Sequence, residues 1–475
     1  MNRRTRLSQS AWFVAAVDAL LILACFWFAR MLRYREPGLT AAGHDLDTVM
    51  GQALWIAAIA VIMLYLFSLY QFSGRLESSK YYYNLVISHL VMGVFLIGGQ
   101  LFFHPFLLAG SLMVIAFVLQ FFVLFAARAV LFAIQSHGLK KKRALLIVND
   151  PSEDMILVER MLDKGDKWFD IYGIVQNSES SQLHDYSSEI DLFLLSPNLE
   201  STVKAEIIRY AGANRKEVLL IPSFYEMFVI GAETQSIGDL ILYSIVPTKL
   251  SLLDKILKRA IDIVGAGILL LLTSPLMLLA WILVPLTSKG KALYSQERVG
   301  LDERSFKVLK FRSMVDNAEK STGPVLAAER DNRITKLGKF MRATRIDELP
   351  QLFNVLRGDM SLVGPRPERE FFTNEFKKEL PHYSYRFMVK PGITGLAQVM
   401  GNYSTLPADK LRFDLLYIKN YSPIMDLKIL LQTIIVVLQR EQSKGVSTAG
   451  FSSVSSAMKR LLNNQANMAV FKESK

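Results

Sequence analysis

The stretch RATRIDELPQLFNVLRGDMSLVGPRP, residues 342–367, gathers acids, arginines and backbone breakers within a few turns of chain. Asp347 and Glu348 are adjacent, Pro350 falls in what would be a first helical turn, and Gly358 closes the apolar run LPQLFNVL. Proline is tolerated in a first turn and glycine commonly ends a helix, so the spacing predicts one short helix. Both carboxylates then sit at a helix N-terminus, where free amides and partial positive charge also suit phosphate. Arg342 and Arg345 precede the acids, and Arg366 follows in a loop stiffened by Pro365 and Pro367. Guanidinium forks match phosphate oxygens. Taken singly, DELP is most often a helix start with a capping acid, and Gly-Pro-Arg-Pro a rigid turn.

Upstream, ALYSQERVG and SFKVLKFRSM are joined by LDER, and alternation in the second run predicts a strand pair with Lys307, Lys310 and Arg312 on or near its end. In DNRITKLGKFMRATRIDE, which leads to the acid pair, Asp331 and Arg333 read as structural. Further upstream, the apolar run from Ile261 to Thr287 is long enough to cross a bilayer. Lys258 and Arg259 precede it while Lys289 and Lys291 follow, so both ends favour the same side of a membrane. Thr273, Ser274 and Pro275 stand at its middle, where proline removes a donor and serine can satisfy the freed carbonyl. A span and a segment that dips into one leaflet and returns both remain open, and the second answers both features.

These motifs, in this order from about Lys255 to the Thr433 region, resemble the polyprenyl-phosphate sugar-1-phosphate transferases, the monotopic phosphoglycosyl transferases of bacterial polysaccharide assembly. The resemblance implies a re-entrant helix broken at Ser274–Pro275, a phosphate-binding wall including Lys310 and Arg312, and Asp347 as a covalent nucleophile. Glu348 would position a metal or the acceptor, with Arg342 and Arg366 stabilising the phosphoryl oxygens. Mg²⁺, or Mn²⁺ in its place, would bind Asp347, Glu348 or both. The implied substrates are a UDP-sugar, with glucose or galactose favoured, and undecaprenyl phosphate, with UMP released. Exopolysaccharide or capsule assembly, downstream polysaccharide glycosyltransferases as partners and a homodimer are further expectations. FMVKPGITGLAQVMG resembles the family's glycine-rich segment, although Asn402 replaces the basic residue common after its last glycine. Asp414 and Asp426 match family positions and read locally as helix caps.

The rest of the chain sets the compartment. Half of the 475 residues are hydrophobic, and the formal charge is +12. The basic residues cluster at the ends of apolar runs rather than along a nucleic-acid motif, which favours membrane surfaces and phosphorylated substrates. One cysteine, Cys25, excludes an intrachain disulfide framework and a multi-cysteine zinc site. Four apolar segments, about Trp12–Leu32, Gly51–Tyr70, Asn84–Phe103 and Phe106–Ile134, each suffice to cross a bilayer. Arg3, Arg4, Arg6, Arg75, Lys80 and the KKKR run from Lys140 put the N-terminus and everything after residue 140 on the cytosolic side, against Arg30, Arg33 and Arg35 opposite, and the resemblance implies that the membrane is a bacterial inner membrane. Asp18, only a few residues into its span, reads as snorkelling to the interface.

From Lys142 to about Ile245, RALLIVND, YGIVQ, IDLFLLS and EVLLIPS alternate with helix-like stretches, predicting a Rossmann-like α/β domain with a parallel sheet. Its first turn, VNDPSED, has no glycine to admit a pyrophosphate, which favours a structural, oligomerising or regulatory role. The predicted organisation is therefore four transmembrane helices (1–139), the α/β domain (140–250), an α+β catalytic domain with a re-entrant helix at about 259–287 (251–442), and a Ser- and Asn-rich tail (443–475). Two other classes compete. A UDP-releasing, metal-dependent glycosyltransferase would use spaced aspartates, but Asp45 and Asp47 fall in a loop expected outside the cytosol. A non-enzymatic membrane scaffold would leave the acids and arginines unexplained.

Overall fold

The computed structural model describes residues 3–33, 46–70, 78–102, 110–137, 141–149, 154, 157–158, 161, 169–176, 189–230, 232–245, 250–315, 331, 333–401 and 405–439. Asp45, Asn402 and the tail from Ser443 lie outside them, as do Arg35, Arg75 and Lys140 and the side chains of Asp47 and Lys80. Contacts divide the chain into two compact units, Met1–Lys140 and Lys141–Lys475.

The first unit consists, among the described residues, of helices α1 (Arg3–Arg33), α2 (Leu46–Leu66), α3 (Ser78–Phe102) and α4 (Gly110–His137). Each holds a stretch long and apolar enough to cross a membrane. Ile22, Phe26, Ala53, Ala57, Met92 and Ala116 belong to one shared apolar cluster, with small residues where helices approach closely. Asp18 does not snorkel. It is buried, accepts hydrogen bonds from Tyr70 Oη (2.8 Å) and the Arg128 guanidinium, and so forms an ion pair across the helices. A partner more than a hundred residues away in sequence overrides the short path to the interface.

The second unit opens with a four-stranded sheet: β1 (Lys142–Val148), β2 (Phe169–Gln176), β3 (Leu192–Leu195) and, after α5 (Ser201–Ala213), β4 (Glu217–Leu220). The order is β2-β1-β3-β4 and every pairing is parallel. Apolar side chains on both faces of β1 and β3 are buried, as crossover connections require. Beyond the carboxyl ends of β1 and β3, the Asp154 carboxylate accepts from Asn149 N (3.2 Å), Ser196 Oγ (2.8 Å) and Asn198 Nδ2 (3.0 Å). That crevice is where such folds bind ligands, and here an internal acid occupies it.

Helix α6 (Phe224–Val229) follows, held by a Ser223–Glu226 capping box. Next come the antiparallel strands β5 (Glu233–Ile237) and β6 (Leu240–Ser244). Phe224, Met227 and Phe228 of α6 pack with Tyr383, Phe387, Leu411 and Leu415, which joins the sheet domain to the region carrying the acid pair.

That region begins with α7 (Leu252–Thr287), a helix that runs through Pro275 and Pro285. The Pro275 nitrogen cannot serve the Leu271 carbonyl, and Ser274 Oγ donates to that carbonyl instead (2.8 Å). Ala266 and Leu270 on α7 join the cluster around Leu352, Val355 and Leu362, while Ala280 and Val284 join Phe311, Met341 and Ile346. Both halves of the helix therefore lie against the same compact unit. The opposite face is apolar and open, with Leu271 and Leu272 more than 70% exposed.

Strands β7 (Leu293–Val299) and β8 (Ser305–Phe311) form the antiparallel pair anticipated from the alternation. Then follow α8 (Lys336–Ala343), α9 (Gln351–Arg357), β9 (Ser361–Val363), α10 (Glu370–Glu379), β10 (Gly392–Thr394), α11 (Leu396–Met400), α12 (Pro407–Lys419) and α13 (Pro423–Gln439). Strands β9 and β10 pair in parallel.

Candidate active site

Asp347 and Glu348 lie in a 3-10 turn, Ile346–Glu348, and not in the first turn of α9. Pro350 is the N-cap of α9, and Gly358 ends it at φ 95°, a conformation that favours glycine. The reason for the tighter turn is Arg345, whose backbone is left-handed at φ 59°. A non-glycine residue there is uncommon and costs energy, which the surrounding packing must offset.

Three elements converge on this turn. The Asn354 amide on α9 donates to Lys307 O (2.8 Å) and accepts from Leu309 N (3.0 Å), standing in for a neighbouring strand along β8. That registration puts Lys310 Nζ 2.9 Å from Glu348 Oε1. The 364–367 loop brings Arg366 Nη2 to the same oxygen at 3.0 Å, and Arg345 Nη1 stands 3.7 Å from Oε2. Gly364 and Gly392 give the loop its path: a Cβ on Gly364 would meet Lys390 O at 2.4 Å, and one on Gly392 would meet Gly364 N at 2.1 Å. The expected glycine-rich segment thus approaches the Gly-Pro-Arg-Pro loop backbone to backbone.

The two acids sit in opposite electrostatic states. Burial, then the Glu348 charge, pushes the Asp347 carboxyl up to about 6 against the pull of Lys310, Arg342 and Arg345. Burial also works against the Glu348 carboxylate, but Lys310, Arg366 and Arg345 together hold it well below the usual glutamate range. Burial lowers the Lys310 pKa, and Glu348 opposes that shift. Asp347 Oδ1 is buried and has no hydrogen-bond partner within the protein. A buried carboxylate oxygen without a donor is costly unless something binds there. One acid carries two cationic donors on a single oxygen and a third cation near the other, while its neighbour keeps an oxygen without a partner.

Of the anticipated site residues, Asp347, Glu348, Lys310 and Arg366 are gathered, and Arg342 reaches Asp347 through its charge. Arg312 faces elsewhere: its guanidinium donates to the carbonyls of Ser288 (2.7 Å), Lys289 and Gly290 (3.0 Å), just beyond the end of α7. Ser274 and Pro275 lie within α7, and Asp331 forms a bidentate pair with Arg333.

Neither Asp414 nor Asp426 acts as the expected cap. Asp414 is buried mid-helix in α12, 3.0 Å from Arg386 Nη2. Ser422 Oγ accepts from Met425 N at the head of α13, which frees Asp426 to meet Lys258 Nζ (2.8 Å) and Tyr417 Oη (2.8 Å). Asp262 and Arg386 went unread in the sequence, and Lys258 was read only as flanking charge, because their partners are distant. Asp262 Oδ1 accepts from Ser361 Oγ and Leu362 N, both at 2.9 Å, tying α7 to β9. An acid and a lysine four residues apart at the head of an apolar helix are the local signal.

The family model described as Bacterial sugar transferase matches residues 253–440, which contain the whole of this constellation. The chain is 47% identical over 185 residues to the UDP-N-acetylgalactosamine-undecaprenyl-phosphate N-acetylgalactosaminephosphotransferase of Aeromonas hydrophila, covering 38% of this chain and 44% of that protein. It is 31% identical over 322 residues to the UDP-glucose:undecaprenyl-phosphate glucose-1-phosphate transferase of Escherichia coli, covering 63% and 68%. The undecaprenyl-phosphate galactose phosphotransferase of Salmonella typhimurium is 37% identical over 242 residues, covering 48% and 50%. The chain thus spans about half the length of the Aeromonas and Salmonella proteins and two thirds of the Escherichia one.

Proposed function

The chain belongs to the bacterial sugar transferases, and from that premise we propose that it moves a hexose-1-phosphate from a UDP-sugar to undecaprenyl phosphate, releasing UMP. The observation that carries this reading is the asymmetry of the acid pair: a buried Asp347 oxygen without a partner beside a Glu348 flanked by Lys310, Arg366 and Arg345.

Donor pyrophosphate and acceptor phosphate are both anionic, so direct attack of one on the other is costly. A carboxylate nucleophile divides the transfer into two displacements. Asp347 attacks the phosphorus attached to the sugar, and a new P–O bond forms as the bond from that phosphorus to the UMP oxygen breaks. A phosphate oxygen of the lipid then attacks the same phosphorus, releasing Asp347 and leaving a lipid diphosphate sugar. Lys310 and Arg366, already at Glu348, and Arg342, near Asp347, supply positive charge where the transferred oxygens gain negative charge. Glu348 holds those cations in place.

The unpartnered Asp347 oxygen fits a divalent cation. Among the described residues no group of three or more His, Cys, Asp or Glu gathers, which suits Mg²⁺ (or Mn²⁺) bound by Asp347, with Glu348 adjacent, and by substrate phosphates. When bound, it would offset pyrophosphate charge.

Helix α7 carries the lipid side of this reading. Packed by one face against the site and apolar on the other, it would lie in the cytosolic leaflet as a re-entrant element, keeping Asp347 at the depth of a lipid phosphate. The four helices of the first unit would cross the inner membrane with the N-terminus in the cytosol. Glucose and galactose are the favoured sugars, and the Aeromonas relative adds N-acetylgalactosamine to the candidates. The product would start an exopolysaccharide or capsule repeat unit and pass to further glycosyltransferases, the enzyme working as a homodimer.

Incubating membranes with undecaprenyl phosphate and a panel of UDP-sugars tests the proposal. UMP with a lipid-linked phosphosugar is expected. Release of UDP would instead mean sugar transfer, and neither product would mean a scaffold. Asp347→Asn should abolish both the phosphosugar-enzyme adduct and turnover, and full turnover by that variant would remove Asp347 from its role.

A further inference from the structure

The loop that delivers Arg366 is held from behind by a buried ion pair contributed by two other elements. Arg386, in the 3-10 segment Tyr383–Met388, is buried. Its Nη2 donates to the backbone carbonyl of Arg366 at 2.9 Å and stands 3.0 Å from Asp414 Oδ2 on α12. Its Nη1 donates to Tyr383 Oη, and the guanidinium carbon lies 4.8 Å from the centre of the Tyr383 ring. The Arg366 side chain then runs forward to Glu348 at 3.0 Å. The Arg366 side chain is itself 40% exposed, so burial alone does not restrain it.

A buried arginine that meets one acid by ion pairing, one tyrosine and one carbonyl, with its Nε left unpartnered within the protein, is an expensive device for joining two helical segments. An apolar pair of the same size commonly does as well. What the charged pair adds here is a directed hydrogen bond to the backbone of a residue that touches the acid pair.

Resting on the assignment of Asp347 and Glu348 as the reacting centre, we propose that Arg386, neutralised by Asp414, is a positioning residue that fixes Arg366 against Glu348. Gly364 N donates to Thr394 O (2.8 Å), Pro365 O accepts from Gly392 N (2.9 Å) and Pro367 O from Arg298 Nη1 (3.3 Å), so without the Arg386 anchor it is the Arg366 carbonyl itself that loses its contact. Arg366 then no longer meets Glu348 in the geometry needed when phosphoryl charge develops. Displacement of a supporting group by about 1 Å can cost about 100-fold in rate.

The test separates positioning from folding. The full-length chain carrying Arg386→Met together with Asp414→Leu replaces the ion pair by apolar volume, and membrane-inserted protein at the wild-type level is expected. With UDP-glucose, UDP-galactose or UDP-N-acetylgalactosamine, whichever the wild type turns over, kcat should fall about 10- to 100-fold with little change in KM. In an Arg366→Gln background the same pair of substitutions should cost less than about twofold more, because residues that act through one another do not add. Arg386→Lys keeps the charge on Asp414 but cannot fork to the carbonyl as well. It is expected to repeat the pattern if the apolar pair does not fold.

Wild-type kcat in these variants, or an equal loss with and without Arg366, would overturn the positioning role. Asp347→Asn measured in parallel tells which idea has failed. If it is inactive while the apolar pair is fully active, only the positioning role falls, whereas full turnover by Asp347→Asn removes the centre and this inference with it.

Discussion

At the scale of single residues, two neighbouring carboxylates of nearly equal intrinsic acidity are driven apart by what surrounds them. Glu348 collects Lys310 and Arg366 on one oxygen, so at Asp347 burial and the neighbouring negative charge outweigh the pull of Lys310, Arg342 and Arg345. If Asp347 is the proposed nucleophile it must be ionised to attack, so kcat/KM for UMP release should fall as pH drops through about 6 and level off above it, measured between pH 5 and 8. Glu348→Gln removes the charge that raises Asp347, so the acid limb should move to lower pH while the rate falls. A limb that stays in place would show that Glu348 does not act on Asp347 through its charge. Arg312 makes a contrasting case. Its Nη1 and Nη2 donate to carbonyls just past the end of α7, so Arg312→Ala should cost about 1–3 kcal/mol of stability in a thermal melt and leave KM for the UDP-sugar near wild type. A large rise in KM with unchanged melting would return Arg312 to the phosphate wall.

Among the elements, α7 carries the proposed lipid side of the site. Its buried face belongs to the same compact unit at Ala266 and at Val284, and polar ties from Lys258, Arg259 and Asp262 fasten its first turns to β9, α9 and α13. At roughly 1.5 Å per residue those two contacts lie about 27 Å apart, close to the thickness of a bilayer core. A helix that crossed the membrane would have to carry one of them away from the domain. Cysteines placed at Lys255 and Lys289 should therefore both react with an impermeant maleimide from the cytosolic side. Labelling of the two from opposite sides would refute the re-entrant reading. Proline at 275 is accommodated because Ser274 caps the carbonyl it strands, so Ser274→Ala should weaken the helix at that point by about 0.5–1.5 kcal/mol.

For the whole molecule, the division at Lys140 has a functional counterpart. Every residue assigned to the reaction lies within the second unit, and the first unit is held together by its own cluster and the Asp18–Arg128 pair. A chain beginning at Lys141 and purified in detergent should retain UMP release within about tenfold of the full chain, since α7 brings its own exposed apolar face. A larger loss would assign the first four helices a part in turnover. Within the first unit, Asp18→Asn leaves Arg128 buried without its counter-ion and should destabilise the helices by about 3–5 kcal/mol. Asp18→Leu combined with Arg128→Met should recover most of that loss in unfolding measured in detergent.

Apolar runs, their flanking charge and the spacing of breakers were legible along the chain because they act over a few residues. They gave the four N-terminal helices, the parallel α/β domain, the strand pair ending near Lys310, and the acid pair with its arginines. Tertiary structure decided whatever depends on a partner distant in sequence. It turned Asp18 inward to Arg128, drew Arg312 to the end of α7, took Asp414 and Asp426 away from capping, and held the acids in a 3-10 turn behind a left-handed Arg345. Charged groups are the ones misjudged from sequence, because a buried charge is settled by whichever counter-charge or carbonyl the fold brings within about 3 Å, and local pattern carries no record of that meeting.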